Sequence, residues 1–77
     1  MKGRKMEDYN PKTILVSTLE PGHRFYFCGR IFEIFDIVDN YKEDYRLILF
    51  EKLNDTAERG TMELKGPSDF TILLNKE

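Results

Sequence analysis

The chain has little of several residue types on which specialised sites depend. Its 77 residues include one cysteine, one histidine, three prolines and no tryptophan. Because Cys28 is alone, an internal disulfide is excluded, and Cys28 with His23 supplies too few ligands for a zinc site. Gly60 and Gly66 stand alone, without the glycine run that cradles phosphate before a helix. We therefore expect no metal, nucleotide or other cofactor.

Long hydrophobic runs are also missing. The longest unbroken apolar run, Leu47 to Phe50, is far shorter than the roughly 20 residues that cross a bilayer as a helix. Three of the first six residues are basic, and this segment leads into Glu7-Asp8, whereas a secretory signal would continue into an apolar core. Together with the single cysteine, these features predict a soluble protein of the reducing cytoplasm.

Charge divides the sequence into two parts. Residues 1–13 carry four basic and two acidic groups and no periodic apolar pattern, so we interpret them as a flexible basic arm. Residues 14–77 carry eight basic and twelve acidic groups and contain the apolar pattern, so they are the predicted folded domain. A chain of this length has room for one core, which excludes a multi-domain enzyme.

The apolar pattern from Ile14 onward is that of short strands. Aromatic and β-branched residues form runs of four to eight residues, bounded by Gly, Pro, Asn and Asp. Turns are predicted at Pro21-Gly22 and Gly29-Arg30, and polar loops at 39–44 and 54–60. The predicted strands are Thr13 to Thr18, His23 to Cys28, Ile31 to Val38, Tyr45 to Leu53, Thr61 to Lys65 and Asp69 to Leu74.

Two of these strands have irregular patterns. Neither face of the strand 31–38 is uniformly apolar, which predicts a bulge near Phe35-Asp36. The middle of the strand 45–53 is apolar on both faces. This pattern predicts that the strand lies in the centre of the sheet, or that its outer face is covered by the arm or by a partner.

Five or six short antiparallel strands in so small a chain predict an all-β fold. Closure of the sheet removes exposed edges, so we expect an SH3-like β-barrel over residues 14–77, with an OB-type barrel as the alternative.

One stretch of the sequence is similar to a known family. The turn Leu19-Glu20-Pro21-Gly22, the following strand, the Gly29-Arg30 turn and the return strand through Phe32-Glu33-Ile34 resemble the opening of the N-terminal, KOW-type SH3-like domain of bacterial elongation factor P and its eukaryotic relative. A fainter similarity from Leu53 to Thr61 extends it, so that it covers about residues 19–65. The resemblance implies an SH3-like barrel.

We do not expect this chain to have the translation function of that family. It depends on a lysine in a Gly-rich tip loop and on two further barrels that contact the ribosome and tRNA. In this sequence Lys42 alone matches the lysine, without flanking glycines and among acidic residues, and the two further barrels are absent.

The sequence also lacks a recognisable catalytic constellation. His23 and Cys28 are five residues apart, which places them on opposite faces of one strand and argues against a dyad. We interpret His23 as a polar residue beside a turn and Cys28 as a small apolar filler. The carboxylates at 36, 39, 43 and 44 are interpreted as a solvated acidic loop. No enzymatic activity is expected.

The surplus of aromatic residues favours a protein-binding module. Ten of the 77 residues are aromatic, and a small domain cannot bury them all. The predicted contact surface comprises Arg24, Tyr26, Tyr41, Tyr45 and Arg46. A small regulator or inhibitor of the kind that phages encode, docking on a host protein, suits this size. Coverage of the outer aromatics by the arm or by a second copy is the structural alternative.

RNA or ribosome binding is the alternative function. Barrels of this kind present aromatics for stacking beside basic groups, here Arg30 and Lys42 on the domain with Arg4 and Lys5 on the arm. The acidic domain argues against this function, because phosphate contacts supply most of the non-specific affinity.

Overall fold

The computed structural model describes residues 8–53 and 55–76, without the side chains at positions 40, 41, 55 and 56. It confirms the all-β prediction: the described chain forms six strands and a short 3-10 helix, Val16–Thr18, between the first two strands. The strands are β1 (Tyr9–Leu15), β2 (Arg24–Phe27), β3 (Arg30–Lys42), β4 (Tyr45–Lys52), β5 (Asp55–Lys65) and β6 (Asp69–Asn75).

The six strands make one antiparallel sheet in the order β1-β6-β2-β3-β4-β5. Among the described residues, the hydrogen-bonded ladder ends at β1 on one side and at β5 on the other. Closure into a barrel is therefore not shown, and the architecture is an open six-stranded sheet.

The sheet is strongly curled. Strands β5 and β6 are joined by residues 66–68 alone, although β2, β3 and β4 lie between them in the sheet. In a flat sheet, four steps of about 4.8 Å would separate them by roughly 19 Å. A link of three residues spans at most about 14 Å. The sheet must therefore bend around until the end of β5 approaches the start of β6.

The tight turns lie close to where their sequence signals predict them. The Pro21-Gly22 turn is confirmed, because the His23 amide donates to the Glu20 carbonyl at 3.2 Å and Gly22 has a φ of +103°. The β2–β3 hairpin turns at Cys28-Gly29, one residue earlier than predicted. Both residues have positive φ, +52° and +79°, which is the geometry of a type I′ turn.

The predicted bulge in β3 is confirmed. The register between β3 and β4 shifts between Ile34 and Asp36, where Ile34 pairs with Phe50 and Asp36 pairs with Leu49. The shift changes which residues face inward, so that both Ile34 and Ile37 reach the inner side of the curled sheet.

The predicted strand 13–18 ends at Leu15, because residues 16–18 form the 3-10 helix, and three polar segments outside the predicted strands are strand in the structure. Residues 9–13, assigned to the arm, form most of β1 and pair with β6. Strand β3 continues to Lys42, so the predicted 39–44 loop contracts to the turn Glu43-Asp44. Strand β5 begins at Asp55, within the predicted 54–60 loop. In each case pairing with a neighbouring strand outweighs the local polar composition.

The inner face of the sheet holds the main core. Phe25 lies at its centre, with its ring centroid 5.3 Å from those of both Phe50 and Phe70 and 5.7 Å from that of Phe32. The buried members are Val16, Leu19, Phe25, Phe32, Ile34, Ile48 and Ile72. A smaller cluster of Tyr9, Ile31 and Leu73 is buried separately, with Leu53 packed against it.

Candidate binding groove

Three turns meet at one end of the sheet. They are the β3–β4 turn, the 3-10 helix after β1, and the β5–β6 turn. Main-chain hydrogen bonds join them: the Gly66 amide donates to the Asp44 carbonyl at 2.9 Å, and the Ser17 amide donates to the Gly66 carbonyl at 3.0 Å. The Val16 amide donates to the Ser68 carbonyl at 2.8 Å. The curl of the sheet thus brings together segments that are far apart in sequence.

An open groove of about 730 Å³ lies between these turns, and we name it the Tyr45 groove. Its lining comes from Leu15, Ser17, Asp39, residues 42–46, Gly66 and Pro67. Leu15 is 45% exposed and Pro67 is also exposed, so apolar surface lies next to charged side chains of both signs. Such a combination suits a surface that another molecule covers.

Tyr45 lies between two lysines on the outer face of the sheet. The register places it directly opposite Lys42 on β3 and Lys65 on β5. The Lys42 and Lys65 ammonium nitrogens are 5.2 Å and 5.8 Å from the centroid of the Tyr45 ring. Both distances allow a cation–π contact, so the ring is held at the rim of the groove by its cross-strand neighbours.

Arg46 reinforces the groove from the opposite face of β4. Its Nη1 donates to the carbonyls of Val16 at 2.7 Å and Leu19 at 3.0 Å. Its Nε and Nη2 donate to the two carboxylate oxygens of Asp39 at 2.6 Å and 3.3 Å. Only 16% of the side chain is exposed. Arg46 therefore fixes the 3-10 helix against β4, and most of its donors are already engaged.

The ion pair changes the acidity of Asp39. The hydrogen bond from Arg46 lowers the pKa of the Asp39 carboxyl below its ordinary value; desolvation opposes this effect, and the charge of Arg46 contributes to it. Asp39 is consequently an anion over the whole neutral range. The negative charge of Asp39 compensates the positive charge of the Arg46 guanidinium, so this guanidinium is not a free cation in the groove.

The remaining charges around the groove are mixed. Lys42 pairs with Glu63 at 3.7 Å, while Glu43 and Asp44 are exposed at the adjoining turn. Basic and acidic side chains are therefore interleaved along the rim. A surface of this kind favours a partner with both charge signs over a polyanion.

The predicted contact residues divide between two surfaces. Tyr45 and Arg46 line the groove, whereas the side chain of Tyr41 is outside the described part of the structure. Arg24 and Tyr26 lie on β2, opposite Glu33 and Ile31 in the first half of β3.

Arg24 is engaged in contacts of its own, away from the groove. It pairs with Glu33 at 3.4 Å and donates to the Tyr9 hydroxyl at 3.1 Å. The structure therefore places Arg24 and Tyr26 outside the groove lining and brings Leu15 and Pro67 to it instead, with Lys65 against the Tyr45 ring.

The residues of the alternative nucleic-acid surface are also separated. Lys42 is at the groove, whereas Arg30 is beside the β2–β3 hairpin, where its guanidinium pairs with Glu58. Arg4 and Lys5 lie outside the described residues.

The residues considered for catalysis do not meet. The His23 ring accepts a hydrogen bond from the Glu20 amide at 3.1 Å, in agreement with its predicted role beside a turn. The prediction that Cys28 is a small apolar filler is wrong, because Cys28 lies in the two-residue hairpin turn and is exposed. In residues 8–53 and 55–76, no three His, Cys, Asp or Glu side chains form a group suited to a metal ion.

Leu15 and Pro67 in the groove lining, and Lys65 against the Tyr45 ring, were missed by the sequence analysis. The sequence indicates a break between strands at Gly66-Pro67, but the contact of this turn with the β3–β4 turn depends on the curl of the whole sheet.

The described segments also contain no helix of the length and apolarity that a membrane span requires. Comparisons with protein families, with curated proteins and with solved structures find no significant match to this chain.

Proposed function

We propose that the chain is a small, non-enzymatic protein-binding domain whose Tyr45 groove receives a segment of a partner protein. The observation that carries the proposal is the groove itself, with Tyr45 between Lys42 and Lys65 and the apolar surface of Leu15 and Pro67 alongside. Tyrosine contributes a large contact area at low entropy cost, and it is enriched among the residues that dominate binding energy.

The support beneath the groove favours the same proposal. The main-chain bonds between the three turns and the four donor contacts of Arg46 hold the walls in place before any partner arrives. A preformed surface loses little conformational entropy on binding, so more of the contact energy appears as affinity.

We propose in addition that the curled sheet belongs to the SH3-like barrels. The strand order β6-β2-β3-β4-β5 and the three-residue link between β5 and β6 support this, because they describe a meander whose last strand returns to lie beside its first. Strand β1 is then an addition to the outside of β6. The similarity of the Leu19–Ile34 stretch to translation-factor barrels is consistent with this assignment.

A regulatory or inhibitory role is part of the proposal. A small domain that offers a groove, and whose described residues bring no catalytic pair together, would act on a partner by occupying part of its surface. This suits a small cytoplasmic regulator, such as a phage protein that docks on a host enzyme.

The test is affinity capture from a lysate of the source or host cell, treated with nuclease, with three baits: the native chain, Tyr45→Ala and Tyr26→Ala. Tyr26 is a matched control, because it is half exposed and lies outside the groove. The proposal predicts a stoichiometric protein retained by the native chain and by Tyr26→Ala and lost by Tyr45→Ala. Loss with Tyr26→Ala alone would move the site to the β2–β3 hairpin.

RNA binding is the second candidate function, because an aromatic ring flanked by two ammonium groups is also a platform for stacking bases. The acidic residues beside it and the Lys42–Glu63 pair argue against a polyanionic ligand. The discriminating measurement is affinity for single-stranded RNA at several salt concentrations. A steep loss of affinity with rising salt concentration would favour RNA binding. An affinity that does not change with salt concentration would exclude RNA binding.

A further inference from the structure

The charged side chains of the Tyr45 groove differ in how far this chain compensates them. Arg46 and Asp39 neutralise each other through two hydrogen bonds. The Lys42 ammonium lies 3.7 Å from a carboxylate oxygen of Glu63, and it also contacts the Tyr45 ring. Both cations that line the groove are therefore compensated by groups of this chain.

The acidic residues of the β3–β4 turn, Glu43 and Asp44, are compensated less. Both line the groove, and both are exposed. Within residues 8–53 and 55–76, the structure shows no basic group at ion-pair distance from either carboxylate. Two neighbouring carboxylates create a negative potential that attracts a cation. The charge that the groove lining offers to a partner is therefore acidic.

The backbone of this acidic turn is held in place beside the β5–β6 turn. Lys42 pairs with Tyr45 across the β3–β4 hairpin, so the loop between them has only two residues. Asp44 has a φ of +65°, and its carbonyl accepts the Gly66 amide at 2.9 Å. The acidic turn thus has its position before a partner binds, which lowers the entropy cost of binding.

Apolar surface belongs to the same groove. Leu15 is 45% exposed, Pro67 is also exposed, and both line the groove. An apolar side chain that covers them leaves water, which is favourable in proportion to the apolar area buried. A charge contact beside such covered surface is also screened less than one in open water. The lining therefore favours an apolar group and a cation within one segment.

The Tyr45 ring is not the position for that cation. The Lys42 and Lys65 ammonium nitrogens already lie 5.2 Å and 5.8 Å from the ring centroid. A third cation at the ring would be repelled by both of them. The carboxylates of the turn are therefore the position at which a basic group of a partner is stabilised.

We propose that the partner segment in the Tyr45 groove carries an apolar side chain next to a lysine or arginine. The apolar side chain packs against Leu15 and Pro67, and the basic group contacts the carboxylates of Glu43 and Asp44. This inference rests on the proposed protein-binding function and names the chemistry of the segment that the groove receives. Charge complementarity of this kind also discriminates against acidic segments.

Selection from a random dodecapeptide display library tests this chemistry without a known partner. Peptides that bind the native chain are passed over immobilised Tyr45→Ala, and those that bind the variant as well are discarded. We expect the remaining peptides to be enriched in an apolar residue adjacent to Lys or Arg. Remaining peptides without that enrichment would overturn the inference and leave the groove function intact. The absence of any Tyr45-dependent peptide would contradict both.

Affinity measurements with a selected peptide test the two carboxylates. Glu43→Gln/Asp44→Asn removes both charges but keeps the side-chain sizes, and asparagine tolerates the positive φ at position 44. We expect this double variant to bind the peptide about fivefold more weakly or worse, because two charge contacts are lost. Glu20→Gln/Asp36→Asn is the matched control, because both carboxylates are exposed and lie outside the groove lining. Equal weakening by the two double variants would overturn the proposal.

Charge exchange between chain and peptide is the final test. The selected peptide with its Lys or Arg replaced by Glu should bind the native chain weakly and regain affinity for Glu43→Lys. Lack of recovery in a variant whose amide spectrum shows an intact fold would contradict the contact between the basic group and the turn. Self-association of the native chain that the selected peptide abolishes would place a second copy in the groove and would also overturn the proposal.

Discussion

Arg46 contacts both carboxylate oxygens of Asp39 and, through its remaining terminal nitrogen, two main-chain carbonyls of the segment 16–19. One side chain thus connects β4, β3 and the 3-10 helix at the base of the Tyr45 groove. The fork of the guanidinium makes this possible, because its donors point in several fixed directions within one plane.

Replacing Arg46 should destabilise the fold. Arg46→Ala leaves the Val16 and Leu19 carbonyls without this donor, and we expect a loss of about 1 to 3 kcal/mol in the free energy of unfolding. Arg46→Lys should recover only part of it, because an ammonium group cannot reach all four acceptors. Urea denaturation measures both. Arg30→Ala is the control, because its ion pair with Glu58 is exposed and should contribute less than about 1 kcal/mol.

The Asp39–Arg46 pair should make stability depend on pH in the acid range. The pKa of Asp39 is lowered in the folded state, so the ion pair contributes fully above the unfolded-state pKa of about 4. Its contribution falls as pH drops through the lowered folded-state pKa. Denaturation of the native chain and of Asp39→Asn, from neutral pH downward, should show a difference that shrinks below about pH 4. A difference that grows in acid would contradict the assigned direction.

Gly60 should not tolerate a side chain. A Cβ added there would lie 2.8 Å from the Phe50 ring, and that ring is held between Phe25 and Phe32 in the core. We expect Gly60→Ala to cost about 1 to 3 kcal/mol in thermal or urea unfolding. Gly66→Ala is the matched control: its added Cβ would meet neighbours only at 3.8 Å and beyond, so a change of less than about 1 kcal/mol is expected.

Phe25 and Phe27, two residues apart on β2, should differ strongly in their importance. Phe25 is 3% exposed and contacts three other rings, whereas Phe27 is 55% exposed. Phe25→Ala should lower the free energy of unfolding by about 3 to 5 kcal/mol. Phe27→Ala should lower it by less than about 1 kcal/mol. Equal losses of unfolding free energy in the two variants would contradict a buried Phe25 and an exposed Phe27.

The features that were predictable from the sequence are the ones set by local chemistry. Pro21-Gly22 specifies its turn by the φ preferences of two residues, and Gly29 does the same for the hairpin. The mixed faces around Phe35-Asp36 are visible in the sequence because a bulge must change the alternation of side chains.

The features that were missed depend on residues far apart in the chain. Tyr9 looks like part of a polar arm until β6 supplies Leu73, against which it is buried. The polar segment 39–42 extends β3 as far as Lys42, which pairs with Tyr45 on β4, and no local signal in the sequence indicates that pairing. The groove requires the curl that brings residues 66–68 to the β3–β4 turn, so Tyr45 was predicted without Lys65, Leu15 or Pro67.

The central claim is that the Tyr45 groove is the partner-binding surface. The most direct measurement is an amide chemical-shift titration of the isotope-labelled chain with the protein that it captures. We expect the largest changes at the amides of residues 15–17, 42–46 and 65–66, with binding weakened by Tyr45→Ala. Changes concentrated instead at Arg24 and Tyr26, with the groove amides unmoved, would contradict it.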